Sequence, residues 1–233
     1  MNNSLREIVS SQISRARELQ KELEQEVKSD IKNRQVSYKT LEITEDLLTK
    51  LRNCLDKLIN QYWESKTGSK STKMYFPIAT DQKDLNEKLA RYGLKDLSTS
   101  DSNLFQVISA VQPYTSQDYV ELIELHMYGS QEKHRNLSIQ EKQVVAERIN
   151  FSTQSGSVNW NPSAVKFGSG VHVLGVPINP ITQLPAYTPS THELKKENFI
   201  AIKFQGKNID VLNFCRSVTD IVEKISGQII NLT

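Results

Sequence analysis

The stretch TEDLLTKLRNCLDKLINQYW, from Thr44 to Trp63, decides the fold. Its apolar residues recur with the i, i+3, i+4, i+7 spacing of one broad helical face, and charged side chains occupy the opposite face. This pattern predicts a helix at the centre of a bundle, with Thr44 as its N-cap. The apolar face consists of Leu47, Leu48, Leu51, Cys54, Leu55, Leu58, Ile59 and Tyr62.

Further helices are predicted on both sides of this one. Residues 4–32 predict a long first helix with an apolar stripe that fits a heptad in part. The stripe could pack within the chain or form a homodimer, and the shortness of the heptad pattern favours packing within the chain. Residues 208–230 predict a last long helix. Met74–Ile78 is expected to pack on the bundle as an extended segment, because Pro77 is excluded from a central strand. Shorter helices are predicted at 81–92, 101–112, 116–129 and 138–147.

Residues 149–206 differ in character from the rest of the chain. They hold most of its prolines and glycines, interspersed with short β-branched or aromatic runs. Such runs between turn residues predict a small antiparallel sheet with long loops. The fold class is therefore α+β: a helical bundle core at 1–148, a β-rich insertion at 149–206 and a C-terminal helix at 207–233 that packs on the bundle. The strands are predicted at Arg148–Thr153, Ala164–Phe167, Val171–Val176 and Phe199–Phe204.

Composition places the chain among cytoplasmic globular proteins. Hydrophobic residues make up 37% and charged residues 24%, and the net charge of +2 indicates no strong attraction to nucleic acid or to an anionic membrane. No apolar run reaches the length of a spanning helix, and the first residues lack the features of a signal peptide. Cys54 and Cys215 lie in apolar helical stripes, which predicts buried, reduced thiols.

The usual catalytic and cofactor motifs are absent from the sequence. The four histidines have no zinc-type spacing, no G-x-S-x-G is present, and no glycine-rich loop of the phosphate-binding kind occurs. We therefore expect no metal and no cofactor. Two polar groups stand out instead. Arg52 and Asp56 are four residues apart on the central helix, next to Lys57, and Lys133, His134 and Arg135 follow the short helices.

The Lys133-His134-Arg135 triplet places two permanent cations beside a titratable imidazole. It could bind a phosphate, with His134 as general acid or base near neutral pH. The structural alternative, which we favour, is that His134 and Arg135 tie the hairpin formed by the helices at 101–112 and 116–129 to the central helix, for example through Asp56. In either case Asp56, Lys57, Lys133 and Arg135 are candidate binding residues.

The chain contains four short motifs in a fixed order: Arg52 to Asp56, Phe76-Pro77-Ile78, Gln112-Pro113-Tyr114 and Lys133-His134-Arg135. Together they resemble a widespread group of uncharacterised bacterial proteins, and the resemblance covers residues 45–137, the predicted sheet and the last helix. The core helix of that group often ends in Asp-His, which gives an Arg-x4-His pattern similar to the ribonuclease motif of HEPN domains. These helical domains are common in toxin and antiviral defence systems, where Arg and His line an RNA-cleaving cleft between two protomers.

This chain departs from the ribonuclease pattern at residue 57, which is lysine rather than histidine. Lysine is a poor general base unless it is strongly desolvated. We therefore predict a HEPN-like bundle with a non-enzymatic role, as an interaction or ligand-sensing module that could serve a bacterial defence or stress system. Its partner would be another protein or a second copy bound through the first helix. The alternative is a metal-independent ribonuclease with His134 and Arg52 as catalytic residues, Lys133 and Arg135 holding the phosphate, and RNA as the substrate.

Overall fold

The computed structural model describes residues 2–33, 35–68, 74–129, 140–162, 164–204 and 207–232. The fold is α+β, with a small antiparallel sheet before the last helix. The chain divides into two compact units, one of Met1–Glu141 with Lys203–Thr233 and one of Lys142–Ile202. The helices are α1 Asn2–Asn33, α2 Tyr38–Thr67, α3 Gln82–Arg91, α4 Leu97–Ser100, α5 Ser102–Ala110, α6 Leu122–Gly129 and α7 Val211–Ile230.

The predicted central helix is the core of the first unit. Helix α2 packs against α1, α6 and α7, and its apolar face is buried. The stripe of α1 is buried against α2 and α7, so the packing within the chain is the one observed. None of the described helices is long and apolar enough to cross a membrane.

The start of α2 differs from the prediction. The helix begins at Tyr38 rather than after Thr44, because Ser37 is its N-cap and accepts a bond from the Thr40 amide. The buried Asp30 carboxylate accepts hydrogen bonds from the Ser37 amide (2.9 Å) and the Thr40 hydroxyl (2.6 Å), which fixes the turn between α1 and α2. Thr44 lies inside the helix, where its hydroxyl donates to the Thr40 carbonyl.

Helices α3, α5 and α7 begin close to their predicted starts. Asp81 and Asp101 cap α3 and α5 through their carboxylates, and Asp210 caps α7 in the same way. The helix predicted at 116–129 is divided, because Ser116 caps only a 3-10 turn at Gln117–Tyr119 before α6 begins.

The sheet begins earlier than predicted. Strands β1 (Gln140–Thr153), β2 (Gly156–Trp160) and β5 (His192–Phe204) form a sheet in the order β2-β1-β5. The helix predicted at 138–147 is therefore wrong from Gln140 onward. Sheet pairing overrides the capping-box pattern there, in a stretch that carries the β-branched pair Val144 and Val145.

Two other predicted strands also differ from the structure. Residues 164–167 are not a strand, since the Val165 amide turns back to bond the Asn161 carbonyl. Residues 171–176 are not one strand either, because β3 (His172–Val173) and β4 (Val176–Pro177) form a tight hairpin. Its two-residue turn has Leu174 and Gly175 at positive φ, 47° and 81°. The core of the second unit consists of Ile149, Phe151, Trp160, Val173, Val176 and Ile178.

Candidate functional site

Arg52 and Asp56 form the ion pair that their spacing suggests, and the pair is buried. The Arg52 Nη2 donates to Asp56 Oδ1 at 2.8 Å and to the Phe76 carbonyl at 2.9 Å. The same Asp56 oxygen accepts the Phe76 amide at 2.8 Å. Only 5% of the Arg52 side chain and 16% of the Asp56 side chain are exposed. The two side chains therefore satisfy both main-chain polar groups of Phe76 in the extended segment 74–79. The apolar side chains of Met74, Phe76 and Ile78 are buried, so this segment packs as was predicted for Met74–Ile78.

Burial dominates the electrostatics of this pair. Desolvation raises the pKa of the Asp56 carboxyl above its ordinary value, although the Arg52 guanidinium and the Phe76 amide both act to lower it. A buried pair of this kind depends on both partners, since either charge alone would be left desolvated. The pair thus fixes the main chain of the segment after α2.

Other polar side chains hold the same extended segment. Gln112 on the loop after α5 is fully buried; its Oε1 accepts the Ala79 amide at 2.8 Å and its Nε2 donates to the Pro77 carbonyl at 3.1 Å. Asn60 and Lys88 donate to two further carbonyls, those of Met74 and Ile78. The segment has no strand beside it in the described residues, so these side chains replace the hydrogen bonds of a sheet.

The other predicted site residues are Lys57 and the Lys133-His134-Arg135 triplet. Lys57 is exposed on α2. Lys133, His134 and Arg135 lie outside the described residues. In the described ranges no group of three His, Cys, Asp or Glu side chains could hold a metal ion. Arg52 thus lies with Asp56 against the 74–79 segment: its Nη2 donates to Asp56 and Phe76, and its buried Nη1 has no hydrogen-bond partner among the described residues.

A different surface is found in the second unit. Residues 149–192 contain a single Asp, Glu, Lys or Arg, namely Lys166, whereas such residues make up 24% of the chain. Three large apolar side chains in this stretch are exposed: Val165, Ile181 and Tyr187. Ile181 is 89% exposed, the highest value among the large apolar side chains described. We call residues 149–192 with these three exposed side chains the uncharged face, a set defined by its sequence and its exposure.

The loop that carries Ile181 is fixed by its own hydrogen bonds. The Asn179 Oδ1 accepts the amides of Ile181 (2.8 Å) and Thr182 (3.1 Å), which is an Asx turn. The main chains of Asn179 and Gln183 are joined by a 2.8 Å bond, and the Asn179 amide donates to the Leu184 carbonyl. Ile181 is therefore presented at the tip of a closed turn rather than on a free segment.

Gln183 anchors this turn to the rest of the unit. It is buried, and it adopts φ = 58°, a left-handed conformation that is unfavourable for a residue with a side chain. Its Oε1 accepts the Phe167 amide at 2.7 Å, and its own carbonyl accepts the indole N–H of Trp160 at 3.0 Å. The hydrogen bonds to Trp160 and Phe167 therefore stabilise the strained backbone conformation of Gln183.

Sequence reasoning missed both the role of Gln112 and the uncharged face. Gln112 could not be assigned because its partners, Ala79 and Pro77, are more than thirty positions away. The uncharged face did have a signal in the sequence, because the run from Ile149 to His192 holds only one charged residue. A stretch that is buried in a core has the same composition as one that is exposed for binding, so the sequence does not distinguish them. The exposure of Ile181 in the structure does.

Comparisons of the chain with protein-family models, with curated proteins and with solved structures give no match. The HEPN-like resemblance therefore stays a prediction.

Proposed function

We propose that this chain is a non-enzymatic cytoplasmic interaction module that binds a protein partner through the uncharged face. One observation carries the proposal: Ile181, 89% exposed, lies at the tip of a turn whose main-chain amides and anchor residue Gln183 are hydrogen-bonded. An isolated exposed isoleucine is common, but a rigid turn on an uncharged surface resembles the core of an interface, where charged residues are depleted. Binding through it would require little ordering of the loop.

The ribonuclease alternative finds no support in the described residues. Its predicted catalytic residue Arg52 is buried, and its Nη2 is bonded to Asp56 and Phe76. The Arg52 Nη1 has no hydrogen-bond partner among the described residues, but it is buried too, so a phosphate could reach it only if the surrounding side chains moved. The role of His134 stays a prediction, as does any place in a defence or stress system.

The test of this function is photo-crosslinking in cells. A benzophenone amino acid at position 181 should give discrete protein adducts, and the captured protein, once purified, should bind the wild type but not Ile181→Asp. The matched control has the same probe at Lys83, an exposed position of α3 in the other unit, and should give none of these adducts. Absence of adducts from position 181 would contradict the proposal.

A parallel RNA-cleavage assay tests the absence of catalysis. The purified wild type should not cleave RNA. Cleavage that is lost in a folded His134→Ala variant would show that the chain is an enzyme, and the non-enzymatic function would then be wrong.

A further inference from the structure

We infer that a cavity beside the C-terminal end of α2 binds a neutral sugar in its pyranose form. The cavity belongs to the first unit and the uncharged face to the second, so this inference goes beyond the proposed function and is independent of it. The cavity volume is about 390 Å³, within the roughly 300–1,000 Å³ range of small-molecule sites. The side chains that decide its chemistry are Trp63, Lys66, Ser100, Asp101, Ser102 and Asn103.

The wall that contains Asp101 is fixed by hydrogen bonds. The Asp101 Oδ2 accepts the hydroxyl of the fully buried Tyr62 at 2.7 Å, and Oδ1 accepts the Leu104 amide at 3.1 Å. The main chain is held as well, because the Asp101 amide donates to the carbonyl of the buried Leu97 at 2.9 Å. This wall is therefore formed before a ligand arrives, and binding requires little ordering of the protein.

The charges of the lining residues balance. Lys66 is the one cation and Asp101 the one anion among them. The Lys66 ammonium lies 5.6 Å from the centroid of the Tyr62 ring, which stabilises its charge. A phosphate would meet the Asp101 carboxylate and a cation would meet Lys66, so the cavity favours a ligand without net charge. A zwitterion fits less well, because both Asp101 oxygens already accept protein donors.

Neutral polar groups dominate the rest of the wall. The side chains of Ser100, Ser102 and Asn103 make no hydrogen bond within the described residues, so they are available to a ligand. A serine hydroxyl both donates and accepts, and an asparagine amide does so through separate atoms. A sugar presents the same mixture at each of its hydroxyl groups, whereas an apolar ligand would leave these side chains unpaired.

Trp63 supplies the aromatic part of the wall. The C–H groups on one face of a pyranose ring form an apolar patch, which packs favourably on an indole, while the hydroxyls at the ring edge remain free to bond polar groups. The indole N–H is a further donor and has no acceptor in the described part of the chain. One tryptophan beside several neutral polar side chains therefore matches both parts of a sugar.

Proton–nitrogen correlation NMR of the purified full chain tests the inference. The chain has two tryptophans, and the Trp160 indole, bonded to the Gln183 carbonyl in the second unit, serves as an internal control. Trp63→Phe identifies the other indole signal by its loss. Titration with glucose, galactose, mannose and N-acetylglucosamine should give a saturable shift of the Trp63 signal with at least one of these sugars and no shift of the Trp160 signal.

A pair of asparagine variants locates the site. Asn103→Ala should raise the dissociation constant of that sugar about fivefold or more, because it removes the amide that bonds the ligand. The matched control is Asn86→Ala, at an exposed position of α3 that does not line the cavity, and it should leave the constant unchanged. Circular dichroism checks the folding of both variants.

Several outcomes would overturn the inference. The first is the absence of a saturable Trp63 shift with any of the four sugars up to their solubility. An equal response to sorbitol, an open-chain polyol, or an equal shift of Trp160 would indicate a solvent effect. A saturable response to inorganic phosphate or glycine but not to a sugar would make this a site for a charged ligand, and equal affinity in Asn103→Ala and the wild type would place the sugar elsewhere. None of these results bears on crosslinking at position 181, so the proposed function is tested separately.

Discussion

Replacing Arg52 by alanine tests whether the buried pair holds the fold. The change removes the donor to Asp56 Oδ1 and to the Phe76 carbonyl, and it leaves a carboxylate with 16% exposure without its cation. Removing one partner of a buried pair typically costs about 3–5 kcal/mol of unfolding free energy. Because the Asp56 side chain keeps some solvent contact and the Phe76 amide, we expect the lower end of that range, about 3 kcal/mol.

Urea unfolding followed by far-ultraviolet circular dichroism measures this loss, since all the described helices belong to the first unit. The matched control is Lys83→Ala, which breaks the exposed i, i+4 pair with Glu87 and should cost less than about 0.5 kcal/mol. A double-mutant cycle of Arg52→Ala with Asp56→Ala should give a coupling of about 1–3 kcal/mol. If Arg52→Ala costs no more than Lys83→Ala, the structural role of the pair is refuted and Arg52 becomes available for another function.

Three further changes follow from the packing. Gly129→Ala should lower the free energy of unfolding by about 1–3 kcal/mol, because a Cβ there would lie 2.8 Å from the Arg52 Cβ. Gly227→Ala in α7, where a Cβ meets nothing within 4 Å, should instead raise it by up to about 1 kcal/mol. Urea unfolding measures both changes. Gln112→Ala should cost about 2 kcal/mol or more in the same assay, since it leaves buried main-chain groups unpaired. Thiol labelling at pH 8 should modify neither cysteine in the folded chain and both in denaturant. Burial raises the pKa of Cys54 to about 11 and that of Cys215 further still, so little reactive thiolate is present; rapid labelling of the folded chain would contradict this.

The long helices were predictable because their stability comes from a stripe that the sequence displays. The periodic residues of α1, α2 and α7 are buried as the spacing indicates. The first turns of α2 were missed because they are fixed from outside the helix. Asp30, seven residues before Ser37, holds the turn between α1 and α2. Thr44 was predicted as the N-cap because the acids Glu45 and Asp46 follow it directly.

The strand that begins at Gln140 shows where local pattern fails. Ser138-Ile139-Gln140-Glu141 has the form of a capping box, and the following residues tolerate a helix. The structure pairs this stretch with other strands of a sheet, and β5, its neighbour, begins some fifty residues later at His192. A choice that depends on so distant a partner cannot be made from a short window.

The two candidate sites were visible in the sequence to different extents, for a physical reason. The spacing of Arg52 and Asp56 predicts that they pair, because residues four apart lie about one helical turn apart on the same face. It does not predict whether the pair is exposed to water or bonded to the main chain of Phe76. Ile181 presents the converse case. Its neighbours Asn179, Pro180 and Gln183 mark a turn, and the stretch lacks charge, but an isoleucine in such a stretch is usually buried.

Ile181 is exposed two residues before a buried polar residue. Gln183 is buried, bonded to Phe167 and Trp160, and it accepts a left-handed φ of 58°. A polar side chain is thus inside and an apolar one outside, two positions apart on the same turn. That inversion costs free energy in the isolated chain, through backbone strain at Gln183 and hydration of Ile181. Covering Ile181 in a complex recovers the second cost, which is why we assign binding to this turn rather than to the buried ion pair.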